Sequence, residues 1–359
     1  MRKGNFAIVI GMLLCGGCVK PTTQLAPVSQ VAVRAEEARQ REIVLIELNR
    51  AQNRLDDIAF ELLAAAARLC QEDVAPRLGI GYTTADVYGE EYEQAARTAL
   101  GLSDVITITS VSAGSPAEEA GIQEGDELLA VQGSRLPLGG DGLEAATEGI
   151  RLAGLSGAVN LTISRVGVEN EVSVTPESVC AYPAVVEIEG PVNAYADGER
   201  VVFTWAMMRF ANDDELKTIV GHEIAHNAMK HIDAKEKNAL LGGLFGALLD
   251  VATESVTGVP TQGENTSAFM NSGAASYSQD FEREADYVGM YILARASMDL
   301  ERAPDVWRQM GQISPSAIAY ASSHPSNAER FVRLTQTIEE IERKRSMGLE
   351  LLPEMRERE

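Results

Sequence analysis

The chain has 359 residues, 45% of them hydrophobic and 23% charged, which is length for two or three domains and excludes wholesale disorder. Lys and Arg number 31 against 53 Asp and Glu, a formal net charge of −22, and no basic patch offsets it, so nucleic acid is not expected as a partner. The 8 Phe, 9 Tyr and 2 Trp are too few for a surface that stacks sugars or bases. Histidine occurs only at 222, 226, 231 and 324, so its clustering carries weight.

Arg2 and Lys3 precede an apolar run, Phe6–Leu14, and then Cys15-Gly-Gly-Cys18. Charge, apolar stretch and small residues in that order read as a secretory signal, and the run is too short to span a bilayer alone. The segment resembles a bacterial lipoprotein signal. That resemblance implies cleavage after residue 17 and lipid attachment at Cys18, because Gly16 and Gly17 supply the small residues that Leu14 does not supply before Cys15. Residues 18–32 then form a tether. Cys70 and Cys180 would be the remaining thiols; export permits a disulfide between them, and plain burial suits their apolar surroundings equally well.

Between 33 and 72, Val44, Leu48, Leu55, Ile58, Leu62, Ala66 and Leu69 recur at helical spacing. This predicts a long amphipathic helix packed on its own domain rather than a dimeric coiled coil. Residues 76–176 form a β-rich module. Val105–Val111 alternates with period two, Glu127–Val131 follows a Gly125-Asp126 turn, and Val159–Arg165 and Glu171–Thr175 make a hairpin across Gly167, with a helix over Gly142–Leu155. The string Gly114-Ser-Pro-Ala-Glu-Glu-Ala-Gly-Ile-Gln-Glu-Gly-Asp126 resembles the centre of a PDZ domain of the bacterial protease type. The resemblance implies a groove that takes peptide C-termini by strand addition, with Arg77–Gly81 as its carboxylate loop. The stretch Tyr82–Ser103 is longer than that pattern provides.

Further on, Asn193–Gly198 reads as a turn and Val201–Thr204 as a short strand that, if exposed at an edge, would align an extended substrate. Asn212-Asp-Asp-Glu215 carries the signature of a helix start, with Asn212 as cap and Glu215 closing a capping box. The helix that follows holds His222-Glu223-Ile-Ala-His226. Four residues is just over one turn, so both imidazoles project from one face and can share a metal, while Glu223 stays within reach of an attacking water as its base. Zinc suits two neutral imidazoles, a third protein ligand and an open position. No His lies six residues beyond His226. Glu282 and Asp286, four apart on a second helix, supply the third ligand and the acceptor for a ligand histidine's distal N–H. Helical arithmetic turns His231 away from the metal, towards a supporting or helix-end hydrogen bond, and faces Glu284 elsewhere.

These residues, with Asp214-Glu-Leu216, Ala285 and Ser323-His-Pro325, are similar to the M48 family of zinc metallopeptidases over about 182–334. The resemblance implies one zinc ion held by His222, His226 and Glu282, with Glu223 as general base. It also implies an α+β chain: a mainly helical zincin-type metallopeptidase domain with a small sheet at 182–345, a PDZ-like domain, a long N-terminal helix and a tail at 346–359. Because no apolar run of roughly 18 residues follows the first, the envelope type is implied, periplasmic and lipid-anchored to the outer membrane. His324 is expected to steady the oxyanion or to gate the site, with Tyr320 and Tyr277 as other oxyanion donors. Leu240–Leu249 reads as a helix end leading into a polar cover over the cleft, and 350–359 as a frayed tail.

The function expected is that of a zinc endopeptidase acting on unfolded or misassembled envelope proteins. The alternative is an envelope lipoprotein chaperone whose proteolysis is minimal or gated by His324 and the 240–276 cover.

Overall fold

The structure, a computed structural model, describes residues 23, 26–257, 260–275, 278–313 and 327–355. The signal, Cys18 and the Ser323-His324-Pro325 segment lie outside the described residues, as do Tyr277 and Tyr320. The chain opens with α1 (Gln30–Ala66), which at 37 residues spans about 55 Å. Strand β1 (Val74–Arg77) leads into β2 (Ile80–Thr83), and a short turn at Asp86–Tyr88 into α2 (Gly89–Ala99). Next come β3 (Thr107–Val111), α3 (Pro116–Glu119), β4 (Glu127–Val131), β5 (Ser134–Arg135), α4 (Gly139–Ser156), β6 (Val159–Arg165) and β7 (Val168–Val174). These strands make one sheet in the order β2-β3-β4-β6-β7, with β5 on β4.

Inward residues of that sheet, among them Ile106, Ile108, Leu128, Leu161 and Ile163, pack with Ala146 and Ile150 of α4 into a separate core. Period-two alternation predicts which side chains turn in. The Gly125-Asp126 turn is held from inside: buried Asp126 accepts from the Gln123 N–H at 2.9 Å and from Arg165 at 2.7 Å. The long stretch after β2 is used by α2, whose Ala95 and Ala96 pack with Leu102 against Leu45 of α1.

Strand β8 (Glu177–Cys180) returns to pair with β1. A second sheet is built from β9 (Ala184–Glu187), β10 (Ala194–Ala196) and β11 (Val201–Thr204) in the order β10-β11-β9. Two expectations change here. Val201–Thr204 is the central strand, buried along its whole length, and the segment read as a turn supplies the edge strand β10. The unbroken apolar run Val201-Val-Phe203 is the mark of a strand covered on both faces.

The rest is helical: α5 (Trp205–Phe210), α6 (Asp213–Ala228), α7 (His231–Thr257), α8 (Glu264–Ala275), α9 (Ser278–Arg295), α10 (Asp305–Ile313) and α11 (Asn327–Ser346). Helix α7 is one 27-residue helix and α8 packs back against it, so the two form a helical hairpin where a polar cover was expected. The segment after α11 also departs from a frayed tail. Leu351 and Leu352 pack on the main core, Lys344 donates to the Leu352 carbonyl at 2.7 Å, and the Tyr287 hydroxyl accepts from the Glu354 N–H at 3.0 Å.

The C-terminal half of α1 joins the two parts. Leu55, Ile58, Leu62 and Ala66 are buried in the same core as Leu216, Ile224, Val288 and Tyr291 of α6 and α9. Between them, Gln52 bonds the Ala184 carbonyl and Val186 N–H of β9, while Asn53 donates to the Thr109 carbonyl of β3. Arg54 donates to the carbonyls of Met208 and Ala211 and pairs with Asp213 at the start of α6. Beyond the end of α1, Cys70 is disulfide-bonded to Cys180 across 110 residues.

Asp56 is the strained member of this junction. Burial lifts its carboxyl to about 6, against the opposing hydrogen bonds from Gln52 and Ser110. A raised carboxyl stabilises the fold below the unfolded value near 4 and loses that contribution as pH rises through about 6. Asp56→Asn should therefore stabilise the protein at pH 8 on the order of 1–3 kcal/mol and change little at pH 4, read from urea midpoints at the two pH values.

Candidate metal centre

Helix α6 starts as the cap predicts. Asn212 Oδ1 accepts from the Glu215 N–H at 3.1 Å, and Glu215 returns the bond to the Asn212 N–H at 2.9 Å. Two turns on, Gly221 lies against Gly289 of α9. A Cβ at Gly221 would run into Leu293, and one at Gly289 would sit 3.1 Å from the His222 backbone nitrogen. Two facing glycines thus let the helix backbones approach closely enough for the side chains one turn away to meet.

The side chains that meet are His222, His226 and Glu282, all buried. The two Nε2 atoms are 3.1 Å apart, Glu282 Oε2 is 3.5 Å from His222 Nε2, and Glu282 Oε1 is 3.5 Å from His226 Nε2. Ligand bonds of about 2.0–2.1 Å in a tetrahedron place donors about 3.3–3.4 Å apart, close to the spacing of the two nitrogens from each other and of each nitrogen from one oxygen of Glu282. The donor set fits a borderline-soft divalent cation.

Surrounding groups fix which ring nitrogens face this point. Asp286 Oδ1 lies 3.0 Å from His222 Nδ1 and accepts its proton, which leaves Nε2 as the lone-pair donor. On the other ring, His231 Nε2 is 2.8 Å from Glu284 Oε2, and His231 Nδ1 is 3.0 Å from His226 Nδ1. A carboxylate only accepts, so His231 donates to Glu284 and must accept from His226, again leaving Nε2 bare. His231 and Glu284 therefore act on the site through His226, whereas Glu284 was expected to face elsewhere. Glu284 does stay outside the donor set; it reaches His231 because α6 ends before Lys230, whose φ is 59°, and α7 begins at His231.

Arg330 of α11 was not anticipated from the sequence. It is buried, donates to both oxygens of Asp286 at 2.6 and 2.8 Å, and lies 3.3 Å from His222 with its guanidinium stacked on Trp307. Its signal was an arginine in line with Leu334 and Ile341, on the face of α11 that turns inward. Burial alone would raise the Asp286 carboxyl, but the Arg330 charge and the His222 N–H outweigh it and hold it below the ordinary range. Burial and Arg330 likewise pull His222 down, yet Asp286 and Glu282 reverse this and lift it to about 9, while burial drops His226 to about 4.

Glu223 is 8% exposed, and burial raises its carboxyl. The backbone of Ala196 in the edge strand β10, which packs against α6, opposes that rise. Asn227 holds the same strand's turn, accepting from the Gly198 N–H at 2.9 Å and donating to the Arg200 carbonyl at 2.9 Å. At the first sheet, a cavity of about 270 Å³ runs along β2 between Thr147 and Ile150 of α4 and Asp56 and Phe60 of α1. The Tyr82 hydroxyl and Thr147 Oγ1 share a 2.9 Å hydrogen bond across it.

Comparison with known proteins places these features. Residues 170–338 match Peptidase family M48, and residues 107–146 match the PDZ domain. The mitochondrial metalloendopeptidase OMA1 of Arabidopsis thaliana is 30% identical over 159 residues, 44% of this chain and 31% of that protein. The Beta-barrel assembly-enhancing protease of Escherichia coli O157:H7 is 31% identical over 122 residues, 32% of this chain and 25% of that protein. The matched stretch thus spans a quarter to a third of the length of these two relatives. A solved HtrA3 PDZ domain bound to a phage-derived ligand aligns at 25% identity over 30% of this chain and 88% of that one, with a TM-score of 0.22.

Arg330 tests the network around the donors. Arg330→Met leaves a buried carboxylate unpaired and should cost about 3–5 kcal/mol of stability. It should also weaken divalent-metal affinity about 10–100-fold, measured by competition with a chromophoric chelator.

Proposed function

We propose that this chain, which carries an M48 peptidase domain behind a PDZ domain, is a zinc-dependent endopeptidase of the bacterial envelope that cleaves unfolded or misassembled envelope proteins. The observation that carries the reading is three converging donors beside a buried carboxylate on a helix that packs against an edge strand. Zinc bound by His222, His226 and Glu282 supplies Lewis acidity, polarising a peptide carbonyl and making a neighbouring water easier to deprotonate.

The chain's own residues do the rest. Glu223 takes the proton of the attacking water and passes it to the departing amine. Asp286, fixed by Arg330, and His231, fixed by Glu284, keep both ligand rings in the tautomer that points Nε2 inward. Strand β10 offers an extended substrate a ladder of backbone groups next to Glu223, the alignment first assigned to Val201–Thr204. His324 is assigned to the oxyanion or to gating.

The groove beside β2 is assigned to peptide C-termini, with α1 as an added wall. Lipid attachment at Cys18 would hold the protein at the periplasmic face of the outer membrane. The Cys70–Cys180 disulfide supports an oxidising compartment outside the cytosol.

Glu223→Gln separates the base from the metal shell. It should lower the cleavage rate of a denatured casein-like substrate by about 10²–10⁴ while leaving bound zinc unchanged. Full activity in Glu223→Gln would remove Glu223 from the reaction.

A further inference from the structure

We propose that the hairpin of α7 and α8 is a lipid-docking surface that lies flat in the headgroup region of an uncharged bilayer. Leu240, Leu241, Leu244, Phe245, Leu248 and Val251 all point outward, from 54% exposed at Phe245 to 71% at Leu240. Among the described residues, no apolar side chain between 232 and 275 joins a hydrophobic core. A face of this size, left open by an otherwise well-packed chain, marks a docking surface.

The hairpin is built to stay together while exposing that face. A Cβ at Gly246 would collide with the backbone of Asn265 and Thr266, so glycine is what lets the two helices touch. Phe245 and Phe269 meet edge to face at 5.2 Å. Asp250 caps α8, accepting from the Thr266 N–H at 2.9 Å and from Asn265 Nδ2 at 2.9 Å.

Charge selects lipid as the occupant. Neither 238–249 nor 265–275 contains an ionisable side chain, although the whole chain carries −22. The uncharged length of α7 is about 18 Å. A protein partner's site would centre on Tyr, Trp or Arg, whereas this face offers Leu, Val and Phe. Asp250, Glu254 and Glu264 at the tip oppose end-on insertion. No helix among the described residues is long and apolar enough to cross a membrane, so the geometry is that of a helix pair resting side-on in the interface. Because α7 leaves directly from the metal helix and α9 brings Glu282 back, docking would hold the candidate centre close to the membrane surface.

The test uses the full chain with Phe245→Trp and phosphatidylcholine vesicles, with and without bromine on the acyl chains. The N-terminal apolar run, Trp205 and Trp307 are present in every sample, so the emission of the unsubstituted chain in the same vesicles is subtracted and the difference reads the hairpin. The proposal expects a blue shift and strong quenching, reduced about tenfold or more when Leu244→Asp and Leu248→Asp are added. Unchanged helical circular dichroism and zinc content in the triple variant would show that the fold and the metal shell persist. Equal fluorescence in both lipids overturns the proposal, as does concentration-dependent self-association without vesicles that the two aspartates abolish while no quenching occurs. Either result is independent of whether the metal centre cleaves peptides.

Discussion

The contact of Gly221 with Gly289 is the constraint on which the candidate centre depends. Two imidazoles from α6 and a carboxylate from α9 reach one point only because the helix backbones approach without side chains between them. Burying two histidines and three carboxyl groups would be costly for each alone. The cost falls because nearly every polar atom has a partner of the right kind: Arg330 for Asp286, Asp286 for His222, and His231 with Glu284 for His226. His222, His226 and Glu282 turn three metal-ligating groups towards one point, which is the electrostatic description of a cation site.

The second organising feature is α1. Within six residues it bonds to the small sheet beside the centre, to the start of the metal helix and to the PDZ sheet. The disulfide then ties the segment following α1 to β8, the strand that leads from one part to the other. The groove along β2 and the candidate centre are therefore both attached to the C-terminal half of one helix. Asp56, placed where both sheet and helix exclude water, shows that this junction is held at some electrostatic expense.

Features set by near neighbours in the chain were readable from it. The capping box at Asn212 and Glu215, the four-residue spacings of His222 with His226 and of Glu282 with Asp286, and the alternation in β3, β4 and β6 all depend on a few consecutive residues. Features set by how the chain turns back were not. Strand order is non-local, so Val201–Thr204 could be recognised as a strand but not as the central one. Helical arithmetic kept His231 off the metal but could not name His226 as the ring it supports, because Lys230 breaks the helix through a left-handed backbone. Arg330 reaches the site from a helix more than forty residues after Asp286, and only its position on an apolar face hinted at burial. In the hairpin, glycines that punctuate a loop in most sequences serve instead as the contact surface between two helices.

The most direct measurement of the central claim is metal binding by X-ray absorption and titration on the full chain and on Glu282→Ala. The account predicts one equivalent of zinc with nitrogen and oxygen ligands at about 2.0–2.1 Å, and a loss of affinity of at least about a hundredfold in Glu282→Ala. Equal affinity in the two proteins, or a coordination shell without two imidazoles, would contradict it.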